Sequence, residues 1–358
     1  MVYIVIMAGG RGERFWPKST RGRPKQFHRI ASEGTMIQET FSRVFPEFEK
    51  ERIFFVLGKH LTQPLLDQIP EIDDRNLIVE PVGKNTAPAI GLAAARLDKI
   101  DGEATMVVLT ADHLIRPKEE FLNAVNAAVE VAKEGRLVTF GIKPIRPATE
   151  YGYIETRGTP QKNAGFLVYD VEEFTEKPDE STARRFLDSG RYLWNSGLFT
   201  FQAKEILGSI GRHMPGLYRS LMRIQDSMGG EDETRITEEE FGTIESVSID
   251  YGVMEKSDRI SCVEPGFLWD DMGSWRSLDR YGEKDGQGNV VEGDVVLVES
   301  KDNIVIGEDK SVIALVGVSG LIVVQEGNRV LVCHKDYDQR IKEALKRMSA
   351  DEKLSNYL

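Results

Sequence analysis

The chain has little cysteine: Cys262 and Cys333 are the only two among 358 residues. Two thiols exclude a disulfide-stapled scaffold, and reduced cysteines in a cytoplasmic setting are the default expectation. Long apolar runs are missing too. The N-terminal run Val2-Tyr3-Ile4-Val5-Ile6-Met7 is too short to cross a bilayer and lacks the charged flank and small-residue cleavage site of a signal peptide. A soluble, cytoplasmic protein is therefore expected. Histidine is scarce, and His28, His60, His113, His213 and His334 show no metal-binding spacing. No Gly-x-Ser-x-Gly elbow and no suggestive Cys–His pair occurs, so covalent catalysis has no evident nucleophile. Positive charge is in deficit, with 46 Lys+Arg against 58 Asp+Glu and a net charge of -12. That balance argues against a general nucleic-acid binder, which needs a basic face to displace counterions.

One segment inverts this sign. Residues 9–27 read GGRGERFWPKSTRGRPKQF, directly after the apolar N-terminal run. A short buried strand thus feeds a glycine-rich loop. Gly9, Gly10 and Gly12 let the backbone turn sharply and bring N–H groups to a phosphate. Arg11, Arg14, Lys18, Arg21, Arg23 and Lys25 crowd cations beside them, which points to a polyanionic ligand. Neither common phosphate loop fits. A dinucleotide fingerprint needs a glycine where Phe15 stands, and a P-loop closes on Gly-Lys-Ser/Thr.

The rest of the first part alternates strands with helices. Ile53–Leu57, Met106–Leu109 and Leu137–Phe140 read as strands, while Ala87–Leu97 and Phe121–Ala132 are alanine-rich at helical spacing. That pattern predicts an α/β fold, a Rossmann-like, mostly parallel sheet with helices on both faces. Ligands of such sheets sit beyond the carboxyl ends of the strands, where the glycine loop and Asp112 both fall. The less regular stretch Tyr151–Leu198 reads as an inserted substrate-binding region, and Arg219–Glu240 as a charged, partly helical surface. After Gly282 the character changes to very short Val/Ile/Leu runs at intervals of roughly eight or nine residues. They form a small all-β unit, either a solenoid or a meander. The predicted domains are residues 1–282 and 283–358. Asp336–Met348 should close the chain as a helix, its stripe of Ile341, Ala344, Leu345 and Met348 docking on the β unit or on a second subunit.

Asp112, in Leu109-Thr110-Ala111-Asp112-His113, can hold a hard cation beside a triphosphate. Trp269-Asp270-Asp271-Met272-Gly273-Ser274-Trp275 offers a second carboxylate. Glu80 ends the apolar run Leu77-Ile78-Val79 and precedes Asn85 and Thr86.

The wording G-x-G-x-R-x-W-P-x-S followed by P-K-Q-F resembles the nucleotidyltransferase loop of the sugar-nucleotide pyrophosphorylases, and looks closest to their mannose-1-phosphate guanylyltransferase branch. The resemblance runs in order through six motifs from residue 1 to about 280, and loosely to the end. It implies the reaction GTP plus mannose 1-phosphate to GDP-mannose plus diphosphate, with Mg2+. It tips the C-terminal unit toward a left-handed parallel β-helix. Longer members append a sugar-phosphate isomerase domain, for which this chain is expected to be too short. Carried onto these residues, it gives Ala8, Gly9, Gly10, Gly12, Glu80, Asn85 and Thr86 to the nucleotide. Arg14 and Lys25 are given to charge stabilisation. Gly152, Glu176, Lys177, Asn195 and Asp250 (in Ser248–Lys256) go to the sugar phosphate, and Asp112 and Asp271 to the metal, with Asp270 at a variable position. Pyrimidine-specific relatives carry glutamine at the position of Glu80. A carboxylate instead accepts two adjacent donors, as guanine presents at N1 and N2. Two alternatives share the fold: a pyrophosphorylase for another nucleotide or hexose phosphate, and a non-catalytic regulatory subunit. A homodimer is expected, held partly through the C-terminal unit. That unit should supply contacts rather than chemistry, since every residue singled out precedes Gly282.

Overall fold

The computed structural model describes residues 1–10 and 12–358; Arg11, counted above among the loop cations, lies outside them. The strands in chain order are β1 (Val2–Met7), β2 (Ile53–Gly58), β3 (Leu77–Glu80), β4 (Thr105–Thr110), β5 (Leu114–Arg116), β6 (Leu137–Ile142), β7 (Tyr153–Asn163), β8 (Phe166–Thr175), β9 (Tyr192–Gln202), β10 (Ile260–Glu264) and β11 (Leu268–Asp270). Six more follow: β12 (Val290–Glu292), β13 (Asp294–Val298), β14 (Ile304–Ile306), β15 (Val312–Val316), β16 (Leu321–Glu326) and β17 (Arg329–His334).

The chain divides into two compact units that it visits by turns. The first comprises Met1–Gly9, Phe41–Ala111 and Ile115–Trp269. Its nine-stranded sheet has the order β3-β2-β1-β4-β9-β6-β10-β8-β7. β1 pairs in parallel with β2 and β4, β2 with β3, and β6 with β10, whereas β9 and β8 run against their neighbours. The α/β, mostly parallel sheet is thus present. Apolar strands such as Val2–Met7 and Ile53–Gly58 are buried along nearly their whole length, as a sheet covered on both faces demands. Helix Thr86–Ile100 buries Ala87, Ala89, Ala93, Ala94 and Ala95, small residues that let it lie close to its neighbours. The charged stretch after Arg219 forms parts of helices Pro215–Ser227 and Glu233–Thr243.

The second unit comprises Gly10–Thr40, Asp112–Leu114 and Asp270–Leu358. Its β runs form a solenoid. β12, β14 and β16 stack in parallel, Val290 beside Ile304 and Ile304 beside Ile322, while β13 and β15 stack in parallel as a separate pair. The short period in the sequence arises because successive strands alternate between these two stacks. The last pair, β16 with β17, is antiparallel. Buried asparagines bridge the coils: Asn289 Oδ1 accepts from Asn303 N at 2.9 Å, and Asn303 Oδ1 from Leu321 N at 2.9 Å. The terminal helix spans Ile341–Ser349. Ile341 and Leu345 join a core with Phe15, Trp275, Ile304 and Ile322, so the helix docks on the solenoid and on the segment following the glycine loop together. Among the described residues, no helix is long and apolar enough to cross a membrane.

Candidate active site

In the first unit, β3 delivers Glu80 to the carboxyl end of the sheet. The residue is only 5% exposed, and its Oε1 has no hydrogen-bond partner among the described residues. Burial pushes its carboxyl up to about 7. A Cβ placed on Gly9 would come within 3.5 Å of Glu80 Oε2, so the start of the glycine loop lies against this carboxyl group. A buried acceptor with an idle oxygen is costly to maintain unless a ligand supplies donors. Ala8 is spoken for: its N–H donates to Val56 O at 2.8 Å, extending the sheet. Asn85 caps helix Thr86–Ile100, accepting from Thr86 N at 2.9 Å, and holds a left-handed backbone (φ 72°) that is rare outside glycine. Thr86 Oγ1 accepts from Ile249 N at 2.9 Å, fastening the turn that carries Asp250 to the start of that helix.

The sugar-phosphate candidates assemble in the same unit. A Cβ on Gly152 would stand 2.5 Å from Glu176 Oε2, so a side chain there would expel the carboxylate. Glu176 pairs with Lys177, whose backbone is also left-handed (φ 48°). Burial works against the Lys177 ammonium, but Glu176 beside it keeps its pKa above the ordinary value. Asn195 is used internally. Its Nδ2 donates to Asp250 Oδ1 at 3.0 Å, and its Oδ1 accepts from Thr139 Oγ1 at 3.0 Å and from Gly197 N at 3.2 Å. Those bonds make Asn195 a strut for Asp250. Burial first, and the Glu176 charge second, raise the Asp250 carboxyl to about 6.

The second unit gathers the phosphate and metal candidates around a cavity of about 350 Å³ lined by Gly12, Arg14, Lys25, Asp112, Asp271 and Lys342, among others. Gly12 has φ 60°, and a Cβ on it would lie 2.3 Å from Lys25 Cβ, so the turn requires glycine. Lys25, only 4% exposed, uses all three ammonium hydrogens: Asp112 Oδ2 at 2.7 Å, Asp271 O at 3.0 Å and Met272 O at 2.9 Å. It therefore cross-links the two candidate metal residues. Burial alone would raise the Asp112 carboxyl, yet Lys25 and His113 hold it below its usual value. Asp270 does something else. Its Oδ2 accepts from Arg280 Nε at 2.9 Å and Nη2 at 2.7 Å, and its Oδ1 caps Met272 N at 2.8 Å. Asp270 builds the loop and Asp271 lines the cavity. Asp112 and Asp271 are hard oxygen donors, and no group of three or more potential ligands exists among the described residues. That set fits an ion such as Mg2+, which keeps several waters and takes substrate oxygens.

The C-terminal segment departs from expectation. Arg14 Nη1 donates to Gln339 Oε1 at 2.6 Å, Ser274 Oγ donates to Asp338 Oδ2, Trp16 Nε1 donates to Tyr357 O at 2.9 Å, and Lys342 lines the cavity. Residues beyond Gly282 thus help to build the glycine loop's surroundings. The sequence carried little signal for this. The Asp336–Lys342 run matches no motif, and only its place ahead of an apolar stripe hints that it is held still.

A glycine loop following a parallel strand, with a lysine-linked pair of aspartates, is the arrangement a phosphate-handling transferase needs. The sequence matches the nucleotidyl transferase family over residues 3–287 and the mannose-phosphate isomerase/GMP-like β-helix domain over residues 293–348. The chain belongs to the nucleotidyl transferase family, among the mannose-1-phosphate guanylyltransferases. It is 38% identical to the enzyme of that name from Escherichia coli over 99% of this chain and 75% of that protein. It is 40% identical to that of Salmonella muenchen over 97% of this chain and 73% of that one. A Thermus thermophilus structure described as a mannose-1-phosphate geranyltransferase superposes with a TM-score of 0.87 at 34% identity, covering 97% of this chain and 99% of that one.

Proposed function

We propose that the chain is a mannose-1-phosphate guanylyltransferase, converting GTP and mannose 1-phosphate into GDP-mannose and diphosphate. The observation that carries the choice of base is the buried Glu80 carboxyl at the sheet's carboxyl end, whose Oε1 has no partner among the described residues. Guanine N1–H and N2–H2 together satisfy it, whereas adenine and the pyrimidines present no such pair of donors on one edge. The names of the relatives above support the same substrates.

In the reaction a phosphate oxygen of mannose 1-phosphate attacks the α-phosphorus of GTP, and the bond to the bridging oxygen breaks as diphosphate leaves. A phosphate monoester is already nucleophilic at neutral pH, so the protein's work is positioning and charge neutralisation. The first unit contributes Glu80 for the base, Asn85 and Thr86 beside it, and Glu176, Lys177 and Asp250 for the sugar phosphate. Gly152 keeps room for Glu176, and Asn195 orients Asp250. In the second unit, the amides about Gly10 and Gly12 hold phosphates, and Arg14 meets developing charge. Lys25 keeps Asp112 and the Asp271 loop in register. Asp112 and Asp271 would hold Mg2+, whose role when bound is to neutralise phosphate charge. In functional terms, residues 1–282 form the catalytic part and 283–358 its β-helical support. We read the protein as a soluble, cytoplasmic homodimer. The test is diphosphate release by purified protein with GTP, mannose 1-phosphate and Mg2+, against ATP, UTP, dTTP and other hexose phosphates. Release with GTP and mannose 1-phosphate well above every other pair is expected. Preference for another pair, or binding without release, would refute the proposal.

A further inference from the structure

We infer that Lys342, from the C-terminal helix, is a binding residue for the leaving diphosphate. The inference deepens the proposed reaction and rests on it. Its starting point is a shortage of available positive charge in the second unit's cavity. Three acidic residues, Glu13, Asp112 and Asp271, line that cavity, and Lys25 spends all three of its hydrogens on Asp112 and on two carbonyls of the Asp271 loop. Arg14 commits one guanidinium nitrogen to Gln339. A diphosphate departing from GTP brings several further negative charges, more than these two side chains and one divalent ion on Asp112 and Asp271 would balance.

Lys342 answers that shortage. It lines the same cavity, and its ammonium makes no hydrogen bond or ion pair among the described residues. Its backbone is nonetheless fixed. Ile341, the preceding residue, is 3% exposed and Leu345 9% exposed, both in the core that contains Phe15 and Trp275. Two residues just upstream are tied to other walls of the site: Asp338 to Ser274 in the Asp271 loop, and Gln339 to Arg14 in the glycine loop. An exposed lysine on a pinned helix turn loses little backbone freedom on meeting an anion, so its charge is held ready at low entropic cost. GDP-mannose lacks the leaving group, which gives the inference a sharp signature. Lys342 should matter to GTP and diphosphate, and not to GDP-mannose or mannose 1-phosphate.

The experiment measures KM in both directions for the full-length protein and for Lys342→Ala, Lys342→Gln and Lys342→Arg. The neutral variants should raise KM for GTP and diphosphate by roughly 5-fold, the upper end for an exposed ion pair. KM for mannose 1-phosphate and GDP-mannose should stay within about twofold, the effect should shrink at high salt, and Lys342→Arg should restore most of the loss. An unchanged KM for diphosphate in Lys342→Ala would overturn the inference. So would an equal rise for GDP-mannose, which would mark a merely structural role. A wild-type protein that failed to use GTP would instead overturn the proposed reaction, so the two failures are distinguishable.

Discussion

Replacing Glu80 by glutamine keeps the side chain's size and removes a charge from a nearly dry pocket, so it should move stability and base choice in opposite directions. In the ligand-free protein burial raises this carboxyl from an ordinary 4.5 to about 7. Between those two values the folded state holds a proton that the unfolded chain has released. Stability therefore falls as pH rises through that window, and the loss is complete above pH 7. A shift of this size corresponds to about 3 kcal/mol, an upper bound since the pocket can relax. Glutamine carries no such cost. The variant's melting temperature should match wild type near pH 4.5 and exceed it by several degrees at pH 8 in thermal scans without ligand.

With GTP the sign reverses. Guanine's donors favour the ionised carboxylate, so wild-type GTP binding should strengthen as pH rises through about 7, with a proton released at the lower pH. Losing the charge-assisted fork should cost roughly 1.5–3 kcal/mol, about 10–150-fold in the ratio of kcat/KM for GTP over UTP at pH 8. Diphosphate release with each nucleotide reads this ratio directly. An unchanged ratio, or a stability difference that ignores pH, would refute the assignment of Glu80 to the base.

The paired aspartates should separate cleanly. Asp271→Asn should lower kcat at least about 100-fold with little change in melting temperature, while Asp270→Asn, breaking the Arg280 pair and a loop cap, should cost roughly 2 kcal/mol of stability and less activity. Gly12→Ala should raise the KM for GTP sharply, because its Cβ would fall 2.3 Å from that of Lys25; a variant with normal GTP kinetics would show that the loop can open. Lys177→Ala should raise the KM for mannose 1-phosphate about tenfold and leave GTP binding by calorimetry unchanged, the reverse result reassigning the lysine. Deleting residues 285–358 should abolish turnover, since it removes Gln339, Lys342 and half of the core around Phe15 and Trp275; a folded, active truncation would contradict the structural reading of the C-terminal segment.

Much of this was legible because the relevant signals are local. A strand running into Gly-Gly-x-Gly announces itself in a dozen residues, and the alanine-rich helices follow from their period. Solenoid and meander were not separable from short apolar runs alone. The difference is a register, Val290 beside Ile304 rather than a reversed pairing, and register is a long-range property. The role of Asn195 was partly hidden for a related reason. An asparagine that orients a carboxylate and one that binds a sugar look alike until Thr139, Gly197 and Asp250 are seen to use its amide.

The larger surprise is where the chain puts its compact units. The boundary suggested by composition falls near Gly282, where α/β patterning yields to short β runs. The contacts instead group the glycine loop, Asp112 and Asp271 with the solenoid, and the chain changes unit at Gly9–Gly10 and again at Ala111–Asp112. Both crossings follow the ends of parallel strands, β1 and β4, where a sheet runs out of its own hydrogen-bond partners and the backbone must find others. A glycine loop of this length carries too few apolar residues to fold on itself. Phe15 and Ile30 supply an apolar edge, and Trp275, Ile322 and Ile341 bury it. The β-helix is thus better understood as the core on which the glycine loop is built than as an appended module. That view explains why two polar contacts, from Asp338 and Gln339, reach Ser274 and Arg14, and why Lys342, so far along the chain, lines the same cavity as Gly12 and Arg14.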